Sequence, residues 1–421
     1  MTQEARADIV VIGAGVVGLM AALALSATGR TVTIVEKNAP ARGASFGNAG
    51  ILAFSEIMPL ASPGIIRQAP KWLLDPLGPL SIRPSYAHRI APWLWRFWQA
   101  SRPQAYGKIM QAQAALMQLS RQEMQRASAS AELGQHIETT GTLDLYDGEA
   151  AFNAARRDWT AKEKAGIGFQ VISGSEIETL QPGLAKRFLS HAVYDPTGQQ
   201  VKSPYDFTMA LASQFTAQGG SIVRDEVLKI EPQGTGARVI CPGGRVLTAN
   251  CVVLAAGAWS GKLAAALGDK LPLETERGYN TTLPPGAFDL KCQLYFNGHG
   301  FVATPVEGGV RIGGAVELGG LFLAPNYARS AAMLAKAQEF LPGLNPAGGT
   351  QWMGFRPSMA DTLAVIGHSS ASRSIVYAFG HGHLGLTQSA GTARLVRDLV
   401  LGSEPAIPMA AYSPARFKHH E

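Results

Sequence analysis

The chain has 421 residues, of which 46% are hydrophobic and 16% charged, with a formal net charge of +6. That length suits roughly two or three domains, and so apolar a chain must bury surface, which excludes disorder for most of it. The basic residues are scattered rather than striped, which argues against a nucleic-acid partner; the small positive balance suits anionic small molecules or an anionic membrane surface.

Gly is abundant at 47, Pro stands at 25, and no G-X-Y period runs through the chain, so collagen-like and low-complexity classes fall away. Cys241, Cys251 and Cys292 cannot build a disulfide framework and lack metal-ligand spacing, which points to a reducing compartment and no metal site.

Residues 9–29, IVVIGAGVVGLMAALALSATG, carry no charge, and a hydropathy window alone reads them as a transmembrane helix or signal peptide. Glu4, Arg6 and Asp8 precede the run, Gly13, Gly15 and Gly18 interrupt it, and a β-branched run over 31–35 ending in Glu36 follows. The pattern predicts strand (9–12), tight turn, helix (17–27) and strand, and a cytoplasmic location.

Gly13-Ala14-Gly15-Val16-Val17-Gly18 is then a G-x-G-x-x-G between an apolar strand and an apolar helix. The first glycine permits the turn, the second lets backbone approach a pyrophosphate, and the third lets helix and strand pack closely. The helix N-terminus offers free N–H groups to phosphate. Glu36, followed by Lys37, stands where an acid accepts from a ribose 2′-OH, which disfavours a 2′-phosphate and hence NADP. Beyond it, Gly43, Ala44, Ser45, Asn48, Ala49 and Gly50 form a small-residue loop suited to passing close to a flat ring.

Further along, strand-like runs over 142–146, 301–304 and 310–314 suggest an antiparallel sheet, and residues 104–132 and 151–165 have helical apolar spacing. Residues 59–103 hold four of the seven tryptophans, in 72–74 and 93–98, flanked by Arg83, Arg89, Arg96 and Arg102. They suit either a helix in a membrane interface or packing within a domain or entry lid. An apolar strand at 252–254 ends in Ala255-Ala256-Gly257, where a doubly wound sheet binds its ligand. The glycine-rich 380–385 precedes a helix over 387–401, a second helix N-terminus for an electron-rich group.

These segments, with Arg277-Gly278-Tyr279, Gly354-Phe355-Arg356-Pro357 and 361–367 (DTLAVIG), stand in family order over nearly the whole chain. The sequence resembles the D-amino-acid oxidase superfamily of FAD-dependent amine oxidoreductases, most closely its bacterial D-amino-acid dehydrogenase branch. The resemblance implies an α/β fold in which a Rossmann-like FAD-binding domain (1–56, 197–262, 348–421) interleaves with an α+β substrate domain (57–196, 263–347) built on a mainly antiparallel sheet. It implies non-covalent FAD, since the 42–50 loop has no Cys or His for attachment, and backbone contacts to adenine at Val227. Gly382, His383, Leu384, Gly385, Leu386 and Thr387 would meet the flavin's pyrimidine end.

The resemblance also implies that Arg356 grips a substrate carboxylate beside the flavin, a task its rigid two-pronged cation suits. Asp361 is the alternative partner for that cation. Tyr279 would contact carboxylate or amine, or merely pack; His381 and His383 would orient the amine or line the flavin. The implied reaction is hydride transfer from an amino acid Cα to flavin N5, then hydrolysis of the imine to an oxo acid, with oxygen or a quinone of the respiratory chain as acceptor. Secondary amino acids such as sarcosine, iminodiacetate, proline or hydroxyproline are alternative substrates. A partner-dependent flavin subunit is the alternative of another class. The branch's traffic with membrane quinones adds possible peripheral contact with the inner face of the cell membrane.

Overall fold

The computed structural model describes residues 4–64 and 80–418. The opening unit forms as its pattern predicts: strand Glu4–Ile12, helix Val16–Ser26 and strand Val32–Glu36. The helix buries residues on most of its circumference, among them Leu19, Ala22 and Leu25, because helices and sheet enclose it.

Strand Val246–Leu254 organises the first sheet. It runs parallel to Glu4–Ile12 along its whole length, with Val252 opposite Val10. Its other edge pairs antiparallel with Gly236–Ile240 and then, parallel, with Ile375–Phe379. Eight strands result. One face is covered by Val16–Ser26, Pro204–Ala217 and Gly385–Leu401 around Leu19, Leu211 and Val396. Ser260–Ala266 and the 229–240 hairpin pack on Val10, Val252 and Tyr377.

Among the described residues the second sheet has nine strands and is mainly antiparallel; Leu273–Leu283 stands next to one edge, between Gly309–Leu318 and the edge strand Thr350–Met359. Helix Ala328–Phe340 packs on one face through Met333, Ala337 and Phe340. The opposite face looks toward the first sheet's helices, and between them lies the candidate site. Strand Thr350–Met359 falls in the third segment expected for FAD binding, yet it pairs within the second sheet, because its register with Leu273–Leu283 runs unbroken from Leu273–Met359 to Thr282–Thr350.

Helices Pro103–Ala127 and Gly148–Lys164 occupy the two predicted helical stretches. Val227 lies just ahead of strand Lys229–Gln233. Trp72 and its neighbours lie outside the described residues. In helix Ala87–Ala100, Trp93 is buried and donates to the Ser358 carbonyl at 3.3 Å, whereas Trp95 is 57% exposed. Among the described residues no helix is long and apolar enough to cross a membrane.

Candidate active site

The glycine turn is built by contact. Gly13 has φ +107, and a Cβ there would stand 2.5 Å from the Ala255 carbonyl oxygen. A Cβ on Gly18 would collide with the Gly13 carbonyl oxygen. Both glycines therefore belong to the packing. Gly15 differs: its Cβ would meet only the Ser45 hydroxyl, at 3.4 Å, so this side of the turn is open. That opening at a helix N-terminus is a cradle for a diphosphate.

Glu36 is held at the edge of the cradle, accepting from the Ala14 amide at 2.7 Å and the Asn38 amide at 2.9 Å. Ser45 reaches back across 29 residues, its Oγ accepting from the Val16 amide at 3.0 Å, and so ties the small-residue loop to the helix start. Gly43 and Ala44 lead into Ser45; Asn48 Oδ1 accepts from the Gly50 amide at 2.9 Å, turning the chain through Ala49. Gly50 has φ +77, and a Cβ there would meet the Val201 carbonyl oxygen at 2.5 Å. Ala256 and Gly257 close the far side after Ala255. Lys37 points to the surface and pairs with Glu226 at 2.8 Å. The residues present fit FAD: a backbone cradle with Val16, Val17 and Gly18 behind it, an acid at the ribose position, and a second approach at Thr387. Thr387 Oγ1, buried at the start of helix Gly385–Leu401, accepts from the Ala53 amide at 3.1 Å and joins the two loops.

Across from these loops, Arg356 lies flat on the second sheet. Its guanidinium passes over Gly278, where a Cβ would collide with it, and donates to the carbonyls of Ala315 at 2.8 Å and Gly314 at 3.3 Å. Burial pulls the guanidinium down from its ordinary value, and Glu276, its cross-strand partner, opposes that. Asp361 is not its partner, being held by Arg416 at 2.7 Å and 3.1 Å.

The loop before the last helix brings two imidazoles to the same region. His381 is buried and bonded to Thr392 Oγ1 at 2.9 Å, and burial pushes it down to about 4. His383 is exposed and lines a cavity with Gly382 and Leu384. Desolvation, helped by Arg356 and opposed by Glu56, holds it too at about 4. Both rings are therefore neutral at pH 7.

Tyr279 is not brought to this face. It is 1% exposed, donates to Glu317 at 3.0 Å and accepts from the Asn326 amide at 3.0 Å. Arg277 points the same way, donating to the carbonyls of Gly320 and Leu323 at 2.7 Å and 2.6 Å. Strand alternation explains this: Glu276 and Gly278 face the Arg356 side, and Arg277 and Tyr279 the other. Tyr279 holds the 319–326 loop.

Several residues here escaped the sequence reading. Glu276 and Ser358 line the cavity with His383. Asn280 donates to the Gly47 carbonyl at 2.6 Å, and Gly47 lies so close to Trp352 that a Cβ would be 2.6 Å from its ring. On the other side of His383, Glu56 pairs with buried Lys162 at 2.8 Å; burial acts against the charge, but the ammonium holds Glu56 below its ordinary value. Asp144 stands nearby, pushed up to about 6 by burial. A period-two reading of 276–280 offered the one signal, for Glu276.

Residues 8–399 match the family described as "DAO: FAD dependent oxidoreductase". The chain belongs to that family. It is an FAD-dependent oxidoreductase. It is 34% identical over 418 residues to a D-amino-acid oxidase of Bradyrhizobium diazoefficiens, covering 97% of this chain and 98% of the relative. It is 28% identical to a D-amino acid dehydrogenase of Rhizobium rhizogenes, over 97% of this chain and 99% of the relative. Among solved structures it is similar to glycine oxidase from Geobacillus kaustophilus, with a TM-score of 0.77 and 24% identity over 99% of this chain and 100% of that one. The mixed α/β architecture is thus that of the family.

Proposed function

We propose that this protein oxidises the Cα–N bond of a D-amino acid, giving an imine that water converts to an oxo acid. The observation that carries the reading is Arg356: a half-buried guanidinium, satisfied in part by two main-chain carbonyls. A carboxylate is its natural complement, accepting two parallel hydrogen bonds in a charge-assisted grip that contributes about 1.5–3 kcal/mol. Bound FAD supplies the electron sink for the hydride leaving Cα.

The chain's residues align and neutralise. Arg356 fixes the acid end, and neutral His381 and His383 add no positive charge where the amine must sit. The two relatives with D-amino-acid names support the substrate class. Oxygen or a quinone serves as acceptor. The test is an anaerobic screen of the yellow holoprotein with D-, L- and N-substituted amino acids, followed by air. Bleaching by D-amino acids is expected, and the rate of recolouring in air assigns the acceptor. Bleaching by N-substituted acids alone would replace the substrate class.

A further inference from the structure

Glu276 and Arg356 face each other directly across adjacent strands, on the same face of the sheet. Side chains so placed start about 4.5–5.5 Å apart at Cβ and pair readily when oppositely charged. These two do not: no ion pair joins them among the described residues, because the Arg356 guanidinium turns away over Gly278 to the carbonyls of Gly314 and Ala315. The acid is left 5% exposed, with burial pushing its carboxyl up and Arg356 only partly opposing.

A second observation lies beside it. Ser358, two residues beyond Arg356 on the same face, is 4% exposed; its hydroxyl lacks a hydrogen bond of good geometry, though Glu276 is its neighbour. Both side chains line one cavity with His381 and His383. A buried carboxyl with a serine hydroxyl beside it, both lining one cavity, calls for a donor group.

We infer that Glu276, aided by Ser358, is the binding site for the substrate's amino nitrogen, so that a zwitterion is recognised by two separated charges on one sheet. The inference rests on the amino-acid reading above and names a residue for its nitrogen end. The spacing suits it. Positions 276 and 278, the second lying under the guanidinium, are roughly 7 Å apart along the backbone. An α-amino acid, whose nitrogen and carboxyl carbon are about 2.5 Å apart, bridges that gap with an ion pair of about 2.8 Å at each end. Holding Arg356 and Glu276 apart keeps each free for the substrate, at the cost of a buried carboxyl without an ion-pair partner.

The experiment uses FAD-loaded protein and two probes of the same carbon skeleton: D-alanine, followed by flavin bleaching, and propionate, followed by perturbation of the flavin spectrum. In Glu276→Gln the half-saturating D-alanine concentration is expected to rise at least tenfold while propionate binding stays within twofold. Glu276→Asp should recover part of the loss, and Ser358→Ala should show a smaller rise of two- to fivefold. Unchanged D-alanine affinity in Glu276→Gln would overturn the inference. Equal loss for both probes would also overturn it, making Glu276 a support for Arg356. Wild-type protein that binds propionate but is bleached by no amino acid would overturn the amino-acid reading itself, and the nitrogen site with it.

Discussion

The glycine-turn cradle and the Arg356 face are built on opposite principles. The cradle is main chain: Gly13, Gly15 and Gly18 stand within six residues, and its polar contacts are amide N–H groups received by Glu36 and Ser45. The Arg356 face is side chain: Arg356, Glu276 and Ser358 meet because the strands Leu273–Leu283 and Thr350–Met359 pair in one register. A cradle of backbone tolerates almost any change that leaves its glycines alone. A face set by register depends on charges contributed from distant parts of the chain, and a single residue's slip would turn every one of them over.

The contrast can be broken first at the glycines. Gly18→Val should cost more than about 4 kcal/mol, since even a Cβ collides with the Gly13 carbonyl and neither strand nor helix can retreat; urea unfolding, or failure to recover folded protein, reads it. Gly15→Val should behave differently. Its Cβ meets only a serine hydroxyl at 3.4 Å, so the apoprotein should fold with a melting temperature within about 4 °C of wild-type apoprotein, yet be colourless after incubation with FAD. Equal unfolding of the two variants would erase the distinction between packing and binding glycines.

Smaller effects sharpen it. His381 titrates near 4 when folded against 6.5 when free, so the unfolded chain binds the extra proton between those values and stability falls as pH drops from about 6.5 to about 4. For so buried a ring the loss should be on the order of 3 kcal/mol. Denaturation at pH 7 and pH 4.5 should show a markedly smaller difference in His381→Gln. Ser45→Ala removes the one side-chain acceptor at the Val16 amide and should cost about 1 kcal/mol, with FAD affinity reduced rather than abolished.

The same contrast explains what the sequence made legible. The βαβ unit could be read because its determinants are contiguous: glycines at fixed spacing, an apolar strand before and an acid after. Helices Pro103–Ala127 and Gly148–Lys164 follow from their own periodicity. Arg356 was reachable only through resemblance, its motif being four residues long. Tyr279 shows how such carry-over misplaces a side chain. Its neighbour Gly278 does lie under the guanidinium, but alternation sends Tyr279 to the opposite face, into the Glu317 network. Glu276, two positions earlier, is where that logic leads instead. The Glu56–Lys162 pair joins residues 106 positions apart, and no local pattern announces it.

The most direct measurement is an anaerobic titration of FAD-loaded wild type and Arg356→Ala with a D-amino acid, followed at the flavin band. Losing a charge-assisted grip of about 1.5–3 kcal/mol corresponds to roughly a 10- to 150-fold change. The variant should keep its FAD and bleach only at concentrations raised by that factor. A variant that bleaches at the wild-type concentration, or that loses FAD while its substrate affinity is unchanged, would contradict the assignment of Arg356 as the substrate's anchor.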